Sequence, residues 1–194
     1  MRAWAVLVAG LSLACANLGG LSGGSVGRDA APVGDGSSGS DAGAPNLLVD
    51  PSFDDGPGSG CAGWTGDTAD ATRSTTARTG SYSCMLCPVA ASDSYFDLES
   101  SPVQVVAGDT YYAEAWFLAP PSGPVAPLTG VVAYESVDGG AHPFQGSQVD
   151  PSSIWALSSL TFTALATGSL TVDLHGFYPH GGCTLVDDAA LYKE

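Results

Sequence analysis

The chain has 194 residues, the length of one domain plus tails, with 20 acidic and 5 basic residues and a net charge of −15. The basic residues are scattered, so they form no cationic surface of the kind that contacts phosphate backbones. The composition therefore argues against a nucleic acid partner and favours neutral or cationic ligands.

The first 15 residues, MRAWAVLVAGLSLAC, predict a secretory signal peptide. Arg2 precedes an apolar stretch that is far shorter than the roughly 20 residues of a spanning helix. The ending at Cys15 resembles the lipobox of bacterial lipoproteins, which implies acylation of Cys15 and a place at the outer membrane or cell surface, with a lipid anchor as the only membrane contact. Ordinary cleavage that discards Cys15 and secretes the protein is the alternative.

Residues 16–45 consist almost entirely of Gly, Ser, Ala, Asp and Pro. They contain no aromatic residue and no periodic apolar pattern, so we expect a flexible linker.

Residues 46–194 contain short runs rich in Val, Tyr, Phe, Thr and Leu, separated by Gly, Pro, Asp and Ser. This pattern predicts an all-β sandwich or barrel without amphipathic helices. The expected strands are Leu47–Phe53, Tyr82–Cys87, Ser94–Leu98, Thr110–Leu118, Gly130–Tyr134, Ala156–Ala164, Ser169–Phe177 and Thr184–Tyr192. In Thr110–Leu118 the alternation places Tyr111, Ala113, Ala115 and Phe117 on one face and Tyr112, Glu114 and Trp116 on the other.

Cys61, Cys84, Cys87 and Cys183 remain once Cys15 is set aside, and an even number in an exported domain predicts two disulfides. A zinc site is the alternative, since Cys84, Cys87, His180 and Cys183 have a suitable spacing. Oxidation after export, and the lone Cys61 that zinc would leave, favour disulfides such as Cys61–Cys84 and Cys87–Cys183.

Five segments in order resemble the jelly-roll carbohydrate-binding modules of families 4, 9 and 22, within the galactose-binding-like sandwiches. They are NLLVDPSFDDG at 46–56, Gly63–Trp64, ARTGSYSCMLC at 77–87, VVAGDTYYAEAWF at 105–117 and LVDDAALY at 185–192. The resemblance implies a jelly-roll β-sandwich over residues 46–194.

The same resemblance implies a structural Ca²⁺ held by Asp54 after the first strand, a backbone carbonyl before the third strand, and Asp187 in the last strand. Carboxylate and carbonyl oxygens are the ligands that Ca²⁺ prefers. Asp54 stands where the family usually has the longer Glu. The alternative is that Asp54, Asp55, Asp187 and Asp188 are solvated turn residues.

Aromatic faces and hydrogen-bonding side chains recognise sugars in such modules, so Tyr112, Glu114 and Trp116 are candidates for a glycan groove. Packing of these aromatic residues under a loop is the alternative. Phe144, in a glycine-flanked loop with His142 and Gln145, is a further candidate ligand contact, and Tyr134 and Glu135 are candidates to join it. Trp64 is assigned to the core, and Trp155 is assigned to a loop.

No catalytic constellation is recognisable around His142, His175 or His180, and no motif singles out a pair of carboxylates. We therefore expect a non-enzymatic protein that binds a glycan or polysaccharide at the cell surface. The alternative is a structural or adhesive protein that uses the same sandwich for protein contacts, because one fold serves both functions.

Overall fold

The computed structural model describes residues 44–56, 58–87, 95–125, 128–177 and 182–194. These residues belong to one compact unit. The signal peptide, the lipidation of Cys15 and nearly all of the linker fall outside the described residues and stay predictions.

The described chain is built from β-strands and a 3₁₀ turn at Thr68–Asp70. The strands are β1 Trp64–Gly66, β2 Ala71–Ser74, β3 Ser83–Leu86, β4 Tyr95–Ser100, β5 Val103–Val105, β6 Thr110–Leu118, β7 Leu128–Val137, β8 Gly140–Gln145, β9 Ala156–Thr163, β10 Gly168–Phe177 and β11 Thr184–Lys193.

The strands form two antiparallel sheets within the described residues. The six-stranded sheet has the order β1-β4-β10-β7-β8, with β5 also paired to β10. The five-stranded sheet has the order β2-β3-β11-β6-β9. Each sheet turns alternate apolar side chains toward the other, as in a β-sandwich, so the predicted all-β sandwich is confirmed.

The core lies between these inward faces. Tyr111, Ala113, Ala115 and Phe117 of β6 are almost fully buried, as the alternation predicts. Trp64 is also buried, as predicted, and its indole N–H donates to the Asp50 carbonyl oxygen at 3.2 Å. The polar tip of Trp64 is thus satisfied inside the sandwich.

The expected strand Leu47–Phe53 is wrong. Asp50 and Phe53 have positive φ angles of 46° and 57°, which are incompatible with an extended strand. The segment contacts β11 through separate backbone hydrogen bonds, from the Leu47 amide to the Leu191 carbonyl at 2.9 Å and from the Ala189 amide to the Pro51 carbonyl at 2.8 Å.

The expected loop at residues 139–146 is also wrong, because Gly140–Gln145 forms β8 and pairs with β7. Flanking glycines suggest a loop, but Gly139 belongs to a tight hairpin turn with Asp138, both with positive φ. Of the remaining expected strands, Thr110–Leu118 is present with its expected bounds and the others are present with shifted ends.

The four cysteines form the disulfides Cys61–Cys84 and Cys87–Cys183. The favoured pairing is therefore confirmed, and the zinc alternative is wrong because its three cysteine ligands are oxidised. His180 lies outside the described residues. In the described part of the chain, no helix has the length and apolar character needed to cross a membrane.

Candidate functional site

The outward side of the six-stranded sheet carries a group of polar and aromatic side chains that we call the acidic face. It is formed by Asp97 and Glu99 of β4, Tyr134 of β7, and Asp173 and His175 of β10. Leu98 and Leu174 alternate with these residues and are fully buried in the core. Strand alternation alone therefore points the acidic residues away from the sandwich interior.

Strand pairing brings the acidic face together. In the β4–β10 ladder, Asp173 is paired with Glu99 and His175 with Asp97. On the other side of β10, Thr171 is paired with Tyr134. Directly opposed residues in an antiparallel pair lie close enough for their side chains to interact.

Asp173 is the most deeply placed member, with only 2% of its surface exposed. Burial, followed by the charges of Asp97 and Glu99, raises the pKa of Asp173 to about 8. Burial likewise raises the pKa of Asp97 and lowers that of His175. At neutral pH we therefore expect a protonated Asp173 and a neutral imidazole on this face.

Tyr134 is half-buried at the edge of the acidic face. Burial, then the neighbouring charges of Asp173, Asp97 and Glu99, raise the pKa of its phenol. Tyr134 also lines an open depression of about 260 Å³. The other residues of this depression are Glu135, Ser136, Gly139, Gly140, Ala141, Ser169 and Thr171. The Tyr134 ring thus lies between the carboxyl groups and a depression lined by hydroxyl side chains.

The sequence-predicted face of Tyr112, Glu114 and Trp116 lies on the outward side of the five-stranded sheet, where all three are half-buried. The Tyr112 hydroxyl donates to Glu114 Oε2 at 2.9 Å, and burial raises the pKa of Tyr112.

A cation covers one side of Trp116. The Arg78 guanidinium lies 3.9 Å from the ring centroid of Trp116 and forms a 2.6 Å salt bridge with Asp188. This cation–π contact occupies an indole face that a sugar would otherwise stack on.

Phe144 does not join either surface. Its ring stacks on Phe162 with centroids 4.7 Å apart, and it packs against the core. Glu135 is fully buried and accepts hydrogen bonds from the amides of Leu165 and Ala166 at 2.9 and 2.8 Å. Both candidates therefore hold the sandwich together, whereas Tyr134 lies on the outward face of the same strand as Glu135.

Asp54 and Asp187 contact one short loop. Asp54 Oδ1 accepts from the amides of Ser81 and Tyr82 at 2.9 and 3.0 Å. Asp187 Oδ2 accepts from the amides of Arg78 and Thr79 at 2.6 and 3.3 Å. The loop needs Gly80 between them, because its φ is +64° and a Cβ there would collide with the Asp54 carboxylate.

Asp187 is fully buried, and burial raises its pKa to about 7. Among the described residues, however, no three His, Cys, Asp or Glu side chains form a group that could hold a metal ion. The donors are oxygens, as Ca²⁺ requires, but a cation here would take most of its six to eight ligands from backbone carbonyls and water.

Comparison with solved structures identifies the architecture. A family 61 carbohydrate-binding module, TmCBM61, solved in complex with β-1,4-galactotriose, superposes with a TM-score of 0.55 at 18% identity, covering 78% of this chain and 100% of the module. The chain has the fold of the jelly-roll carbohydrate-binding modules.

Two further carbohydrate-binding modules have a similar structure. The CBM22-1 xylan-binding domain of Paenibacillus barcinonensis Xyn10C gives a TM-score of 0.58 at 14% identity, over 77% of this chain and 95% of that domain. The N-terminal cellulose-binding domain of Cellulomonas fimi β-1,4-glucanase C gives 0.51 at 23% identity, over 73% and 93%. No family model and no curated protein matches the sequence.

Proposed function

We propose that this protein binds a glycan without catalysing a reaction on it, and that the acidic face is its binding surface. The observation that carries this proposal is the position of Tyr134, a half-exposed ring beside carboxyl groups and an open hollow on one sheet. Aromatic rings contact the apolar faces of sugars, and the surrounding polar groups hydrogen-bond to their hydroxyls.

The structural neighbours support a sugar ligand but do not select one. Those described above are a module in complex with galactotriose, a xylan-binding domain and a cellulose-binding domain. One fold thus accompanies three different glycans, so the ligand depends on the side chains of the face.

The arrangement of the carboxyl groups supports binding rather than hydrolysis. Asp97 and Asp173 are close enough to exchange a hydrogen bond. A glycosidase instead holds two carboxyl groups about 5 Å or more apart, on either side of the bond that it cleaves. The two disulfides are typical of exported proteins, which agrees with a ligand met outside the cytoplasm.

Replacing Tyr134 by Ala tests the proposal. A glycan array identifies oligosaccharides bound by the wild-type domain, and isothermal titration then measures affinity for the best of them. We expect Tyr134→Ala to weaken binding about tenfold, or ~1.4 kcal/mol, because the stacking surface is lost.

Tyr112→Ala is the matched control, since it removes a half-buried tyrosine from the other sheet. Unchanged affinity in Tyr134→Ala together with a loss in Tyr112→Ala would move the site to Tyr112, Glu114 and Trp116, which stay the alternative surface. Absence of binding to every glycan would refute the proposed function.

We also propose a structural Ca²⁺ at Asp54 and Asp187, supported by the contact of both carboxylates with residues 78–82. Saturating Ca²⁺ should then raise the melting temperature by about 5–10 °C over a chelated sample, as expected for a ligand at about 100 times its Kd. Asp54→Asn should remove this shift, whereas Asp138→Asn, in an exposed turn, should keep it. Identical melting with Ca²⁺ and with chelator would contradict the site.

A further inference from the structure

The acidic face concentrates carboxyl groups on two paired strands, and the protonated Asp173 among them contributes an acceptor oxygen rather than a charge. Asp97, Glu99 and Asp173 occupy neighbouring positions of the β4–β10 ladder, and Asp67 adds a fourth carboxylate by accepting from the Asp97 amide at 3.1 Å. Like charges at such positions repel each other, and the interaction is stronger where a group is buried.

The described part of the chain provides no lysine or arginine to balance this charge, because its three cationic side chains are engaged elsewhere. Arg73 donates to the carbonyls of Phe53, Asp55 and Gly56, and its guanidinium lies over the Tyr82 ring. Arg78 pairs with Asp188, and Lys193 lies 2.5 Å from Asp109. Residues 88–94 and 178–181, which adjoin β4 and β10 in sequence, also contain no lysine or arginine.

One buried oxygen atom of the acidic face lacks a hydrogen-bond partner. Asp173 Oδ1 is buried and has no hydrogen-bond partner. Buried polar atoms almost always have a partner in native structures, so Asp173 Oδ1 is an acceptor that a donor of a bound group can satisfy. Asp173 belongs to the floor of the acidic face, with Asp97 and the exposed Glu99 on the neighbouring strand.

The remaining titratable groups on this face do not supply the missing cation. Burial lowers the pKa of His175 and so favours its neutral form, and Tyr134 is neutral. An ammonium group can supply this cation, because it has three N–H donors for carboxyl oxygens.

We propose that the acidic face binds the ammonium group of an amino sugar, so that the preferred glycan contains unacetylated amino-sugar residues. This inference rests on the proposed glycan binding and specifies the class of sugar. The Tyr134 ring and the hydroxyls of Ser136, Ser169 and Thr171 lie beside the carboxyl cluster and provide contacts for the sugar rings that carry the amine.

The test compares oligosaccharides of one length that differ only in charge: a glucosamine hexamer, its fully N-acetylated form and a neutral glucose hexamer with the same linkage. Isothermal titration at pH 6 and low salt should give at least tenfold tighter binding for the glucosamine hexamer. That factor is the lower end of what charge-assisted hydrogen bonds contribute. Added salt should reduce the preference.

Glu99→Gln is the principal variant, because Glu99 is exposed and its replacement leaves the core intact. It should reduce affinity for the glucosamine hexamer at least threefold more than affinity for the neutral hexamers, because only the ammonium group loses a charge-assisted contact. Glu114→Gln, a carboxylate on the five-stranded sheet, is the matched control and should have no effect. Asp97→Asn, on the same strand as Glu99, provides a second variant with the same expected loss.

The outcomes separate this inference from the proposed function. Equal binding of charged and neutral hexamers, or binding of neutral hexamers alone, would overturn the amino-sugar inference and leave glycan binding in place. A loss in Glu114→Gln instead of Glu99→Gln would place amine binding on the other sheet and also overturn it. Binding to no glycan would refute both.

Discussion

Asp173→Asn should make the protein more stable at pH 8 than the wild type and about equally stable at pH 4. The folded-state pKa of Asp173 is about 8, well above the value near 3.8 of an exposed Asp. Between these pH values the folded protein keeps a proton that the unfolded chain has lost. Wild-type stability therefore falls as pH rises, by on the order of 3–5 kcal/mol across the window.

Urea denaturation at one-unit pH intervals from 4 to 8 measures this effect. In Asp173→Asn the part of the pH dependence that comes from this carboxyl should disappear, because the amide does not titrate. Asp138→Asn, in the exposed β7–β8 turn, should keep the wild-type profile. Parallel profiles for the wild type and Asp173→Asn would contradict a buried carboxyl group without a counter-charge.

Removing the Cys87–Cys183 disulfide should cause the second large effect. The bond joins positions separated by 96 residues, and it ties the end of β3 to the start of β11. Closing so long a loop reduces the entropy of the unfolded chain, which corresponds to about 4–5 kcal/mol of stability. The double variant Cys87→Ala/Cys183→Ala should therefore unfold at markedly lower urea concentration.

The second disulfide provides the comparison. Cys61–Cys84 spans 23 residues, for which the same relation gives about 3–3.5 kcal/mol. Both of its cysteines are buried, whereas Cys87 and Cys183 are half-exposed. Mild reductant should thus release the thiols of Cys87 and Cys183 first, as mass spectrometry after alkylation would show. A double variant within 1 kcal/mol of the wild type would contradict the structural role of Cys87–Cys183.

Strand β6 shows why much of the fold is predictable from the sequence. Its half-buried and buried side chains alternate from Thr110 to Phe117, and both the bounds Thr110–Leu118 and the inward residues agree with the prediction. The segment at Leu47–Phe53 is equally apolar, but its backbone is determined by the left-handed conformations of Asp50 and Phe53. Alternation cannot reveal such local turns.

The candidate site was less accessible to sequence reasoning. The alternation in β10, with Leu170, Val172 and Leu174 inward, already places Asp173 and His175 on one outward face. The sequence does not show that β4 pairs with β10 and so brings Asp97 and Glu99 beside them. Such a cluster depends on long-range strand pairing.

The predicted glycan surface on β6 shows a similar limit of sequence-based prediction. Tyr112, Glu114 and Trp116 do lie outward on β6, as their spacing indicates. The guanidinium over Trp116 comes from Arg78 in a distant loop, held there by Asp188 of β11. A pattern read along one strand cannot show that another segment covers its aromatic face.

The most direct test of glycan binding at the acidic face is an NMR titration of the ¹⁵N-labelled domain with an oligosaccharide that it binds. We predict that the largest amide shift changes occur in residues 96–99 of β4, 132–136 of β7 and 171–175 of β10. Changes concentrated instead in residues 111–117 of β6 and 157–162 of β9 would contradict the assignment and place the glycan on the five-stranded sheet.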